Sequence, residues 1–315
     1  MKTRRSIIAA KIESVEGTAE ALTVAEAGIM CLSPKFEADF KMYDRSNVML
    51  GTLSKLQSVA GTKSGKISFQ AELKGTGVAY SAVVKPAIGM YLRACSMSET
   101  VVTTGGSETV TYLPASSGAP SLTIWVYVDG IVQKLKGCRG TAKIDAKIGE
   151  AFIVSFDFTG VYDGVADLGM ISPTLEATTP PTFLNAGLTF GGYAATCESF
   201  SADLGNQVQL RSDVNSATGF LSAIVADRKP TCTIDPEMVT VATRDYYGLW
   251  AAGTPAALNI GPVGTGNYNK ITITAPKLIT SKISAGDRSG SVTAGHTCEL
   301  AMNTGDDEIS IVFSK

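Results

Sequence analysis

The 315-residue chain has one histidine, His296, two tryptophans, and only 18% charged residues, against roughly 25% in ordinary soluble domains. The lone histidine removes His-rich zinc sites and most histidine-based catalysis from consideration. No apolar run is long enough for a membrane-spanning helix; the longest, such as residues 122–128, are strand-length. After Met1-Lys2-Thr3-Arg4-Arg5 the apolar stretch covers only residues 7–10, too short for a secretion signal, so none is expected. Six cysteines (Cys31, Cys95, Cys138, Cys197, Cys232, Cys298) are scattered with no C-x-x-C pair, which predicts reduced thiols acting as small apolar fillers. A net charge of −2 excludes a strongly basic nucleic-acid binder. Hydrophobic residues make up 44% and mean hydropathy is +0.16. So little charge without a membrane helix predicts that part of the surface is covered by other subunits.

Motifs that resemble chemistry fail on inspection. Gly61-Thr62-Lys63-Ser64-Gly65-Lys66-Ile67 is one residue short of a phosphate loop and has Ile67 where a Mg²⁺-binding hydroxyl is required. It reads as a Lys/Gly-rich hairpin turn. Thr304-Gly305-Asp306-Asp307-Glu308 lacks the alternating order of a Ca²⁺ loop and reads as a solvated turn. Gly264-Thr265-Gly266 is a single G-x-G, and no G-x-S-x-G is present. No catalytic, cofactor-binding or metal residue is assigned, no cofactor is expected, and the chain is not expected to be an enzyme.

What is present is β pattern. Residues 67–73 place Ile67, Phe69, Ala71 and Leu73 on one face, and residues 152–158 do the same with Phe152, Val154, Phe156 and Phe158. Residues 122–128 are continuously apolar, as in a strand buried on both faces. Two helical segments are predicted, from Pro86 to about Cys95 and from Pro236 to about Ala252, the second with Tyr246, Leu249 and Trp250 on its apolar face. Trp125 and Trp250 are both expected in the core.

The patterns also repeat. Phe36-Glu37-Ala38-Asp39-Phe40 reads like Phe200-Ser201-Ala202-Asp203-Leu204, 164 positions on, with Cys31 and Cys197 shortly before each. Residues 67–73 match residues 232–238, and Leu122-Thr123-Ile124-Trp125 matches Ile271-Thr272-Ile273-Thr274. Each copy has a long polar connection at the same place, residues 42–66 and 206–230, which predicts two long protruding hairpins. A Pro/Thr-rich stretch separates the copies. The expected architecture is mostly β: an arm at residues 1–25, a first β-sandwich or barrel-like domain at 26–165, a linker at 166–180, and a second such domain at 181–315. Each domain would carry one short flanking helix.

The stretch from Phe200 to Pro236, with Leu210-Arg211-Ser212-Asp213-Val214-Asn215-Ser216-Ala217-Thr218-Gly219 and Asp227-Arg228-Lys229-Pro230, resembles the tail tube (major tail) proteins of long-tailed bacteriophages. Ala275-Pro276-Lys277 and Gly286-Asp287-Arg288-Ser289-Gly290 are similar to that family's C-terminal half, and residues 10–18 to its opening. The resemblance covers about two thirds of the chain and rests on loop and turn signatures. It implies a structural virion protein of the tail, assembled in the bacterial cytoplasm into stacked rings that conduct double-stranded DNA without binding it specifically. It implies self-association, together with tail terminator, distal tail and tape-measure proteins as partners, and no membrane insertion. Combined with the repeat, it predicts three chains per pseudo-sixfold ring and a bore lined by neutral or acidic side chains. The alternative is a carbohydrate- or surface-binding β-sandwich module of a fibre or adhesin, which exposed Trp and Tyr clusters would favour.

Overall fold

Period-two alternation in runs rich in β-branched and aromatic residues selects strands over most of the chain. A computed structural model describes Lys2 and residues 4–315. The first half contains β1 (Ser6–Ile12), β2 (Cys31–Tyr43), β3 (Val59–Glu72), α1 (Gly89–Ala94), β4 (Met97–Val102), β5 (Thr109–Pro114), β6 (Leu122–Val128), β7 (Ile131–Lys147) and β8 (Ile153–Asp167). The second contains β9 (Thr189–Phe190), β10 (Ser199–Asp203), β11 (Asn206–Ser212), β12 (Phe220–Arg228), β13 (Thr231–Ile234), α2 (Tyr246–Ala251), β14 (Ala256–Val263), β15 (Lys270–Arg288), β16 (Ser291–Leu300) and β17 (Ser310–Ser314). The protein is thus mostly β, a β-sandwich built on a large antiparallel sheet with two short helices.

Strands in the first half pair in the order β1–β6–β7–β8–β3–β2, and strands in the second in the order β9–β14–β15–β16–β13–β10. α1 follows β3 and α2 follows β13, so each helix occupies the same place in its half. Beyond the shared elements, the first half has the β4–β5 hairpin and the second has β17; the β11–β12 hairpin, between β10 and β13, stands where the distal part of β2–β3 stands in the first half. Two joints connect the halves: β10 lies antiparallel on residues 143–147 of β7, and β17 lies on β5. Buried side chains from both halves form one contiguous core, from Ile8 through Phe69, Phe156 and Phe200 to Phe313.

Several expectations change. Residues 6–12, assigned to an arm, form β1, paired along its length with β6 and with Ile8, Ala9 and Ala10 buried. The sheet position of Leu122–Val128 is held in the second half by β14, whereas Ile271–Thr274 lies in β15, the counterpart of β7. Only residues 246–251 of the long predicted second helix are helical; β-branched Val239, Thr240, Val241 and Thr243 disfavour helix before them. Asp245 then caps α2, its Oδ1 accepting from the Gly248 N–H at 2.7 Å. Gly61–Ile67 lies inside β3 and not in a turn.

Candidate functional site: the assembly surfaces

Two neighbouring rungs show how the sheet divides its faces. Ala71, Val154, Ile144, Ala202, Cys232 and Cys298 sit side by side on six successive strands, all of them 0–3% exposed. One residue along, Gln70, Ser155, Lys143, Asp203, Thr231 and Glu299 form the next rung, on the opposite face. Alternation therefore gives a dry face against the core and a polar face that runs without interruption from the first half into the second. Three ion pairs lie along the polar face: Lys35 bridges Glu37, Lys143 reaches Asp145 at 3.0 Å, and Lys147 reaches Glu198 at 3.4 Å. The ion pair with Lys35 holds the Glu37 carboxyl below its ordinary value.

The β11–β12 hairpin does not protrude into solvent. It folds back across β7 and β8 of the first half, with Ser222 and Ala223 fully buried. Two glycines form its seat. A Cβ on Gly137 would lie 2.9 Å from Ser222 Cα, and one on Gly17 would lie 2.3 Å from the Leu221 carbonyl oxygen. Both also have positive φ, at 59° and 77°. Glu16 ties the seat together: it receives Arg139 at 2.8 Å, Ser222 Oγ at 2.6 Å and Arg211 at 3.2 Å. Burial raises the pKa of its carboxyl, but these hydrogen bonds and charges outweigh burial and lower it overall. At the root of the hairpin, buried Asn206 donates to the carbonyls of Cys95, at 2.7 Å, and Gly140, at 3.0 Å.

The corresponding hairpin of the first half, β2–β3 with its 44–58 loop, remains open. β2 pairs with β3 alone. Its distal part exposes Phe40, Met42, Tyr43, Met49, Leu53 and Val59, with Met49 at 96% and Leu53 at 108%. A second open edge belongs to β15. β14 covers that edge only as far as Leu278, while β16 follows the other edge to Arg288.

The side chains weighed for chemistry serve packing. His296 is 2% exposed, between the rings of Phe190 at 5.2 Å and Tyr246 at 5.0 Å. Burial, with Arg244 nearby, pulls its pKa down to about 4. It lines a cavity of about 230 Å³ with Arg244, Thr254 and Thr280. Asp307 caps its own turn through the Asn303 and Thr304 N–H groups, which lower its pKa to about 2. Asp306 and Glu308 hold Arg228 at the base of β12, both at 3.0 Å. All six cysteines are free, and burial pushes the thiols of Cys95, Cys138 and Cys232 up. Trp250 is exposed at 36% beside Tyr247 at 48%, contrary to its expected place in the core. Among the described residues no group of three His, Cys, Asp or Glu could hold a metal ion, and no helix is long and apolar enough to cross a membrane.

The arrangement offers a polar sheet face shared by the two halves, the open edges of β2 and β15, and an apolar hairpin. No curated protein matches the chain. A family model described as phage tail tube protein matches residues 3–303, nearly the whole sequence, and the chain belongs to that family.

Proposed function

We propose that three copies of this chain close a ring in which six similar halves alternate, and that such rings stack into the tail tube through which double-stranded DNA leaves the virion. The observation that carries this reading is the strand pairing order, which occurs twice in one chain with one helix at the same place each time. A unit present twice per chain builds a six-part ring from three chains, with the 166–180 segment connecting the halves. Head-to-tail contacts of this kind close laterally and remain open axially, which is the geometry of a tube.

The polar sheet face lines the bore in this arrangement. Lys35, Lys143 and Lys147 on it are each paired with a carboxylate, and Arg139, which lies on the same face, is covered by the β11–β12 hairpin and bound to Glu16. A lining without a free basic cluster releases few counterions from passing DNA and so does not hold it. The loop at 44–58, with its exposed Met49 and Leu53, is the contact to the next ring. Assembly takes place in the bacterial cytoplasm, with the terminator, distal tail and tape-measure proteins as further partners.

Electron microscopy of the purified, concentrated chain tests the reading. The expected result is hollow tubes whose cross-section has threefold symmetry and six similar lobes. Rings of six chains would refute the stoichiometry, and a chain that stays monomeric at high concentration would refute the tube reading.

A further inference from the structure

Residues at the same place in the two halves differ sharply in burial. Phe200, Ala202 and Leu204, on β10 and just after it, are 2–3% exposed, because they lie against β7. Their sequence counterparts on β2 are Phe36, which is half-buried, Ala38, which is exposed, and Phe40, which is 45% exposed. The receiving strand shows the same contrast. Ala142, Ile144 and Ala146 of β7 are buried beneath β10, whereas Ala285 and Asp287 of β15 are exposed. The helices follow suit: α1 buries Tyr91 and Leu92, while α2 leaves Tyr247 and Trp250 open. The joint between β10 of the second half and β7 of the first is thus filled, whereas both sides of the equivalent joint, β2 in the first half and β15 in the second, are unfilled and lie towards opposite ends of the chain.

We infer that the joint within the chain is repeated between chains. The open edge of β2 pairs antiparallel with the uncovered stretch of β15 in a second copy. The β2–β3 hairpin then crosses β15 and β16 of that copy as β11–β12 crosses β7 and β8. This rests on the ring-forming reading above and specifies its lateral contact.

The register can be transferred. Cys138 of β7 lies opposite Leu122, and Leu278 of β15 lies opposite Ala256, each at the start of the flanking strand. Ile144, six residues past Cys138, faces Ala202. Six residues past Leu278, with one more for the register shift between Thr280 and Lys282, is Ala285. Ala38 stands where Ala202 stands, so Ala38 of one copy faces Ala285 of the next. Directly opposed residues on antiparallel strands have Cβ atoms about 5 Å apart, and diagonal ones about 7–8 Å. A short bismaleimide spans either distance.

The test is the double variant Ala38→Cys/Ala285→Cys, assembled and cross-linked, with each single variant treated alone as background for the native thiols. The expected result is a covalent ladder that ends at three chains in the double variant, and dimers alone when the two single variants are mixed. Tubes visible by electron microscopy with no cross-linking above the single-variant background would overturn the joint and leave the tube reading standing. Absence of any polymer from the unaltered chain would remove the reading beneath it. As a second measure, Ala38→Asp, at an exposed position, should leave the melting temperature unchanged and raise the concentration needed for polymerisation at least tenfold. An unchanged polymerisation threshold would count against the joint.

Discussion

Glu13 offers the sharpest single test of how the first half is held together. It lies just after β1, is 8% exposed, and accepts four hydrogen bonds. Gly17 N–H at 2.8 Å and Ser121 Oγ at 2.6 Å reach one carboxylate oxygen; Gly137 N–H at 2.6 Å and Thr123 Oγ1 at 3.0 Å reach the other. All four partners act as donors, so a carboxylate satisfies them and an amide cannot. In Glu13→Gln the NH₂ group must face either one backbone N–H and Ser121 or the other and Thr123. The hydroxyl can turn to accept, but the backbone N–H is stranded. Losing a charged acceptor costs about 1.5–3 kcal/mol per bond, and a buried unpaired donor adds about 1–3 kcal/mol. With part recovered by the rotating hydroxyl, the net loss is about 3 kcal/mol. At roughly 2.1 cal/mol/K per residue, a chain of this length loses about 5 °C in melting temperature for that destabilisation. Thermal unfolding followed by circular dichroism measures it. A drop under about 1 °C would refute the reasoning, because it would mean that the four donors find acceptors elsewhere. Since two of them belong to Gly17 and Gly137, which form the seat of the β11–β12 hairpin, the variant should also become more sensitive to protease between residues 206 and 230.

Two further outcomes are expected. The pKa of His296, about 4 against 6.5 ordinarily, means that the unfolded chain binds its proton more readily than the folded one. Its contribution is therefore neutral above pH 6.5, and stability is lost progressively as pH falls towards 4, by about 3 kcal/mol in all. Removing the group, as in His296→Phe, should flatten the stability curve across that window relative to the unaltered chain; parallel curves would exclude the histidine as the cause. Phe69 stacks among Tyr91, Phe156 and Phe158 at 5.1, 5.2 and 6.1 Å, so Phe69→Ala should cost about 3–5 kcal/mol by denaturant titration, and a loss under about 1 kcal/mol would show that the cluster collapses to fill the gap.

Much of the fold was legible because strand signals are local. The match of 36–40 with 200–204 falls on β2 and β10, and that of 67–73 with 232–238 on β3 and β13, which hold the same places in the two pairing orders. The third match went astray for a physical reason. Residues 122–128 and 271–275 are both rich in β-branched, buried side chains, and burial alone does not say which of two adjacent core strands a segment forms. β14, the true counterpart of β6, is interrupted by Gly261 and Pro262, which blur its alternation. The buried β1 was missed because its Ile-Ile-Ala-Ala run is short and closely follows Arg4 and Arg5, so it looked like the start of an arm. The surfaces themselves were only half legible. Sequence placed both long connections, but whether one folds back depends on Gly137 and Arg139, which lie more than 60 positions before the hairpin, and on Glu16 and Gly17, which lie more than 180 before it.

A subunit with unfilled edges must remain apart from wrong partners until it meets the right one, and the composition of β2 addresses this. Lys35, Glu37, Asp39 and Lys41 alternate with Phe36, Ala38, Phe40 and Met42. The apolar set supplies what a neighbour would bury, and the charged set makes indiscriminate edge-to-edge pairing costly, as charges on natural edge strands do. The stretch it would meet on β15 has the small side chains Ser284, Ala285 and Gly286 after Ile283, with Lys282 and Asp287 at its two ends. Small residues admit a second strand closely, and the flanking charges penalise a shifted register. The filled joint distributes its charges differently: β10 carries Ser199 and Ser201 where β2 carries Lys35 and Glu37, keeps Asp203 where β2 has Asp39, and meets Lys143, Asp145 and Lys147 on β7. The joint left for another molecule thus places its charges mainly on the arriving strand, whereas the joint within the chain places them mainly on the receiving one.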